Sequence, residues 1–305
     1  MKKYKKTNLN VISINTLTLI LAILFLTIGF DIQKKSFFSG TIFNEIFIIL
    51  LPALLMAQTG KVKEILKLNK ISIKTTFLTM VLVILAYPLI LLLNGIFLTF
   101  LSNIVEFKNY PQELFLQNIP LSTYLIFMCI IPAICEEVFF RGALMNSYSI
   151  YGNRFAIIMS SMVFALFHFD IQNFIAPLLL GILFANVIDM TGSIYAAMIA
   201  HLTNNVVAVI SARYLNDTVF MYLRQTNLAK QIGSLQLSVI ILLSFISILS
   251  VFLMNFIIKL IKKDRSKGKE AIRIRYRDIE AIDLFNFVPI IALVILYFIY
   301  YYIVF

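Results

Sequence analysis

Residues 76–102 read TFLTMVLVILAYPLILLLNGIFLTFLS, a run in which no side chain carries a charge. Wound as an α-helix at about 1.5 Å per residue, such a run reaches roughly 40 Å, more than the ~30 Å hydrocarbon core of a bilayer. Similar apolar runs recur on both sides, at 11–30, 41–58, 121–148, 154–170, 173–190, 193–213, 236–261 and 287–304. The composition agrees: 61% of the 305 residues are hydrophobic and 13% are charged. Soluble domains average about 45–50% apolar and roughly 25% charged. Long unbroken runs, rather than short alternating ones, select helices over a barrel, because lipid offers no water to unpaired backbone groups. The expected fold is all-α, a polytopic transmembrane bundle of about eight or nine membrane-spanning helices. Pro88 and Pro132 fall inside long spans and are expected to kink them.

Lysine and arginine placement sets the orientation. With the N-terminus cytoplasmic and nine alternating spans, six of the 26 basic residues lie outside: Lys34, Lys35, Lys108, Arg213, Arg224 and Lys230. The rest lie inside, so the chain is expected in the cell membrane as N-in, C-out. The opening MKKYKKTNLN resembles a signal-peptide n-region, but its apolar run is long and no A-x-A-like site follows, so it reads as an uncleaved first span. The stretch Lys259 to Asp283 is a basic cytoplasmic insert suited to anionic lipid headgroups. Its charge alone would also suit nucleic acid, but a positive-inside loop explains it, and no nucleic-acid partner is expected. Cys129 and Cys135 are too far apart on one helix to bridge and too few for a cysteine zinc site, and they read as packing residues.

Charges inside spans are costly, and each becomes a candidate for function. The run PAICEEVFFRGAL, residues 132–144, carries Glu136, Glu137 and Arg141. Glu137 and Arg141 are i,i+4 on one face and can neutralise each other, whereas Glu136 is turned about 100° away. Both histidines of the chain also lie in apolar runs: His168, one turn after Phe164, and His201, one turn before Asn205. Folding the fourth and fifth spans about the turn at 151–153 brings Glu136 and His168 to equal depth. His201 lies nearer its own turn at 191–193, so its level alignment is poorer. A glutamate, two histidines and an amide converging in a bundle suit hydrolysis. Glu136 with His168 could bind and deprotonate a water, and His201 with Asn205 could hold an oxyanion.

In order, these residues read EExxxR (Glu136, Glu137, Arg141), FxxxH (Phe164, His168) and HxxxN (His201, Asn205). The pattern resembles the CPBP family of intramembrane proteases, also called Abi or CAAX-protease-like, over roughly residues 120–210. The resemblance implies an endopeptidase in which Glu136 and His168 act on water and His201 and Asn205 form the oxyanion hole. Glu137, Arg141 and Phe164 support them. It divides the chain into N-terminal helices at 1–120, a catalytic core at 121–213, and C-terminal helices with the basic loop at 214–305. The favoured chemistry uses no cofactor. The alternative is a zinc ion held by Glu136, His168 and His201 as a His₂Glu site. The expected partners are membrane lipids and a peptide or protein substrate in or at the membrane. Two rival readings are an ion-coupled transporter, which also uses intramembrane charge, and a non-catalytic immunity or regulatory protein. The family has members linked to bacteriocin processing and self-protection, so the last reading overlaps the protease one.

Overall fold

The computed structural model describes residues 9–105, 119–214, 234–267 and 281–304. Among these residues there are helices and no strands. In chain order the long elements are α1 (Val11–Lys35), α2 (Phe37–Gln58), α3 (Ile73–Leu101) and α4 (Leu121–Tyr151). They continue as α5 (Asn153–Leu166), α6 (Ile175–Thr191), α7 (Ile194–Tyr214), α8 (Ser234–Lys267) and α9 (Leu284–Ile303). All but α5 and α6 are long and apolar enough to cross a membrane. The chain is an integral membrane protein, and each of the nine apolar runs in the sequence corresponds to one of these helices. The first eight residues and 268–280, which hold much of the expected cytoplasmic positive charge, lie outside the described residues.

Burial identifies the centre of the bundle. Half of the α4 window is buried, against 11% for α8, whose Phe245 and Phe252 face outward where lipid belongs. Around α4 lie α2, α5 and α7, with α3 and α8 paired at the periphery and α9 against α1. Phe139, Phe140, Leu144 and Tyr148 of α4 interlock with Phe164 of α5, Phe184 of α6 and Ile194 of α7 in one continuous core. Lipid is as apolar as these side chains, so close packing and buried polar contacts hold the helices together. One such contact joins three spans. Asn15 accepts a hydrogen bond from the Tyr148 hydroxyl at 2.7 Å and donates to the Asn286 carbonyl at 2.7 Å, while the Asn286 amide donates to Tyr151.

Two departures from the expected spans position the site. The run 154–170 is helical only to Leu166, and the chain then turns through His168 into Phe169, whose φ of +47° is left-handed. A bulky residue occupies that region only under constraint. The constraint here is aromatic: the Phe169 ring lies between Phe25, Tyr297 and Tyr300. The 14 residues of α5 reach only about 21 Å, so the helix stops short of a full crossing. The second departure is the α6–α7 turn, where Gly192, left-handed at φ +72°, ends α6. Asn69 donates to the Gly192 carbonyl at 2.8 Å, Ser193 donates to the Asn69 carbonyl, and the Lys67 carbonyl accepts from Ile194 N–H. Arg265 of α8 donates to the carbonyls of Asp189 and Met190, the last turn of α6, where a cation suits the negative end of the helix.

Candidate active site

The docked turn decides which groups meet. A Cβ at Gly142 would come within 2.5 Å of Leu66 and 3.5 Å of Ile194. The missing side chain therefore lets the 66–69 segment and the start of α7 press against α4 at the level of Gly142, well short of the turn at Gly152. Glu136 lies six residues from Gly142, and His201 lies seven from Ile194. The two side chains come level, with His201 Nε2 3.9 Å from Glu136 Oε2. The poor alignment expected for His201 is thereby corrected, because the two hairpins turn at different depths.

His201 sits among the acids of α4. Its Nδ1 lies 2.9 Å from Glu137 Oε1, and its Nε2 lies 3.9 Å from Glu136 Oε2. Arg141 Nη1 approaches the same Glu137 oxygen at 3.0 Å, which confirms the expected i,i+4 pairing. That contact runs off the N–H direction, so it is an ion pair without a hydrogen bond. The guanidinium instead lies over the Phe164 ring, 4.2 Å from its centroid, with the Phe184 ring centroid at 5.5 Å. Cation–π attraction of a desolvated guanidinium is worth about 2 kcal/mol. Gly181 makes room for it, since a Cβ there would lie 3.2 Å from Arg141 Nη2 and 3.1 Å from the Ser161 backbone.

Exposure separates the two glutamates. The Glu137 side chain is completely buried, whereas 19% of the Glu136 side chain remains accessible. Glu137 is committed to Arg141 and His201, and Glu136 is the carboxyl that a solvent molecule can reach.

His168 stands in the turn after α5 and is exposed. Its Nδ1 lies 2.9 Å from the Phe164 carbonyl. A carbonyl only accepts, so Nδ1 carries the proton and Nε2 keeps its lone pair free. Among the described residues no hydrogen bond or ion pair joins His168 to Glu136; the group facing Glu136 across the site is His201. Phe164 is shared by both histidines, its ring 4.9 Å from His168 and 6.0 Å from His201. Phe184 stacks on the His201 ring at 5.1 Å, whereas Phe164 meets it edge-on.

Asn205 lies on the His201 face of α7. Its amide donates to the Met128 carbonyl at 3.0 Å and its oxygen accepts from Asn204. Pro132, four residues after Met128, has no N–H to offer that carbonyl, so Asn205 fills a position the proline leaves open. One N–H of its NH₂ group is used in this contact.

The described residues contain no group of three or more His, Cys, Asp or Glu side chains placed to hold a metal ion. Glu136, His168 and His201 are thus not arranged as a His₂Glu centre. Cys129 and Cys135 are free and buried, as packing residues would be.

One residue beside the site was missed in the sequence. Glu45, on the part of α2 that packs against the Glu136 stretch of α4, is partly buried, with its Oε2 enclosed. The available signal was a lone carboxyl in the apolar run 41–58, which is costly in a membrane.

Residues 118–207 match the sequence model of the Rce1-like family, described as type II CAAX prenyl endopeptidase Rce1-like. The matched segment runs from just before α4 into α7 and contains all seven motif residues. It is consistent with the resemblance to the CPBP proteases and covers less than a third of the chain. No curated protein and no solved structure matches.

Proposed function

We propose that this chain is an intramembrane endopeptidase in which Glu136 activates water against a peptide bond. The observation that carries the reading is the meeting of Glu136, Glu137, Arg141 and His201, with His201 within 2.9 and 3.9 Å of the two carboxyls, inside membrane-length helices. The matched endopeptidase family model lies over the same residues.

The roles follow from which atoms are already engaged. Glu136 has an accessible carboxyl and serves as general base, taking a proton from water as the water oxygen attacks the carbonyl. His168, with Nδ1–H held by Phe164, offers the Nε2 lone pair to the same water. His201 has Nδ1–H fixed on Glu137, so Nε2 is the ring atom it can turn toward substrate. As imidazolium it donates from Nε2, with its charge balanced by Glu137 and the oxyanion forming beside it. Asn205 contributes its second N–H to that oxyanion. Arg141 holds Glu137, and Phe164 spaces the two histidines. Glu136 then returns its proton to the leaving amine. The finer assignment to the CPBP proteases rests on these motif residues. The substrate is a peptide or protein segment in or at the membrane.

Purified protein in liposomes, incubated with a library of membrane peptides, tests the reading. Cleavage that persists in chelator supports water activated by Glu136 and His168. Cleavage lost in chelator and restored by zinc replaces that chemistry with a metal centre. Substrate-dependent ion flux in the same liposomes, without cleavage, would favour a transporter.

A further inference from the structure

The Asn205 side chain belongs to a series of hydrogen bonds that begins on α3. Tyr87 of α3 reaches across to α7, where its hydroxyl lies 2.8 Å from the Asn204 carbonyl oxygen and 3.0 Å from Asn204 Oδ1. Asn204 Nδ2 in turn lies 3.0 Å from Asn205 Oδ1, and Asn205 Nδ2 lies 3.0 Å from the Met128 carbonyl of α4. Tyr87, Asn204 and Asn205 are partly buried, where α7 packs against both α3 and the opening turns of α4. Tyr87 lies outside the segment matched by the family model.

The direction of each bond is fixed from the Met128 end. A backbone carbonyl only accepts, so Asn205 turns its NH₂ group toward Met128 and its oxygen toward Asn204. Facing an oxygen, Asn204 presents its own NH₂ group to Asn205 and its Oδ1 to Tyr87. The Tyr87 hydroxyl then meets two acceptors, the Asn204 carbonyl and Oδ1, and donates to them. Flipping either amide, or both, would set oxygen against oxygen. Hydrogen bonds aligned head to tail polarise one another, and each strengthens the next. The series ends on the Asn205 NH₂ group, whose second N–H is left for the oxyanion. A hydroxyl on another helix therefore bears on both the direction and the strength of that donor.

We infer that Tyr87 is a positioning residue that, acting through Asn204, holds the Asn205 amide with its second N–H turned to the reaction centre and strengthens that N–H as a donor. This role rests on the reading of Asn205 as an oxyanion donor, but the hold of Tyr87 on Asn205 is a property of the resting protein and can be read without substrate. Tyr87→Phe keeps the ring and removes only the hydroxyl.

The test uses the full chain as wild type, Tyr87→Phe, Asn205→Ala and the double variant Tyr87→Phe/Asn205→Ala, in two arms. In liposomes, with a peptide chosen because the wild type cleaves it, Tyr87→Phe should lower kcat about 3- to 10-fold, the loss that goes with one net hydrogen bond. KM should stay within about twofold, since the donor acts in the transition state. In the Asn205→Ala background the same change should alter kcat by less than about twofold, because no amide is left to hold. A wild-type kcat for Tyr87→Phe overturns the inference. So does an equal loss in both backgrounds, which is what a merely structural hydroxyl would give. The second arm is nuclear magnetic resonance in detergent micelles with isotope-labelled asparagine. The side-chain NH₂ signals missing from Asn205→Ala belong to Asn205, and they should move in Tyr87→Phe, because the lost hydroxyl is relayed to them by Asn204. Asn205 signals left unmoved by Tyr87→Phe overturn the inference. If the wild type cleaves nothing, the endopeptidase reading fails, and the resonance arm still decides whether Tyr87 holds Asn205.

Discussion

Replacing Glu137 with methionine strands Arg141, and the consequences can be worked from the contacts. Both side chains are completely enclosed, with Nη1 and Oε1 3.0 Å apart. At an effective dielectric constant near 20 this separation corresponds to an attraction of about 5 kcal/mol. Desolvation offsets much of it, and removing one member of such a pair destabilises a protein by about 3–5 kcal/mol. Glu137→Met leaves Arg141 its contact with the Phe164 ring but no carboxylate at ion-pair distance. Arg141→Met is milder, because the Glu137 carboxylate keeps the His201 Nδ1–H at 2.9 Å. About 1–3 kcal/mol is expected for that change. The double variant Glu137→Met/Arg141→Met removes both charges at nearly conserved volume and should recover most of the Glu137→Met loss, ending about 1–3 kcal/mol below wild type because the buried His201 Nδ1–H loses its acceptor. The cycle is read by reversible denaturation in mixed detergent micelles, beside abundance in membranes. The double variant should accumulate better than Glu137→Met yet stay inactive, since His201 has lost the group that orients it. Additive single effects, or a Glu137→Met variant as stable as wild type, would refute a buried charge pair as the support of this site.

Other positions give sharper tests of individual roles. Asn205→Ala should lower kcat by about 10²- to 10³-fold with little change in KM, as expected when an oxyanion donor is removed; a rise in KM alone would confine Asn205 to its contact with Met128. Gly181→Ala forces a methyl against the Ser161 backbone and Arg141, and should cost about 1–3 kcal/mol in the same denaturation assay. An unchanged midpoint would mean that α5 and α6 can separate freely. A reporter fused to the C-terminus should read outside the cytoplasm in intact cells, and a cytoplasmic signal would overturn the N-in, C-out topology.

The fold was legible because its signal is one of length and composition. Each apolar run became a helix, and the Glu137–Arg141 pair followed from spacing on one helix. The level of His201 was not legible. It depends on a turn inset against Gly142 and held by Asn69 and Arg265, contacts that join positions far apart in sequence. The end of α5 at Leu166 was hidden for a similar reason, since Phe169 adopts its left-handed conformation among rings from α1 and α9. Glu45 escaped because a motif search works along one segment, and α2 lies outside the motif-bearing stretch. The motifs announced that Glu136, His168 and His201 belong together. Their pairing, with His201 rather than His168 facing Glu136, depends on how far each hairpin is inserted.

The most direct single measurement compares wild type with Glu136→Gln, reconstituted at matched amounts and shown by the denaturation assay to be equally folded, against a membrane peptide that the wild type cleaves. Loss of at least about 10³-fold in kcat at unchanged stability is the result expected if Glu136 is the base that activates water. Turnover within a few fold of wild type would contradict it, because glutamine cannot take that proton.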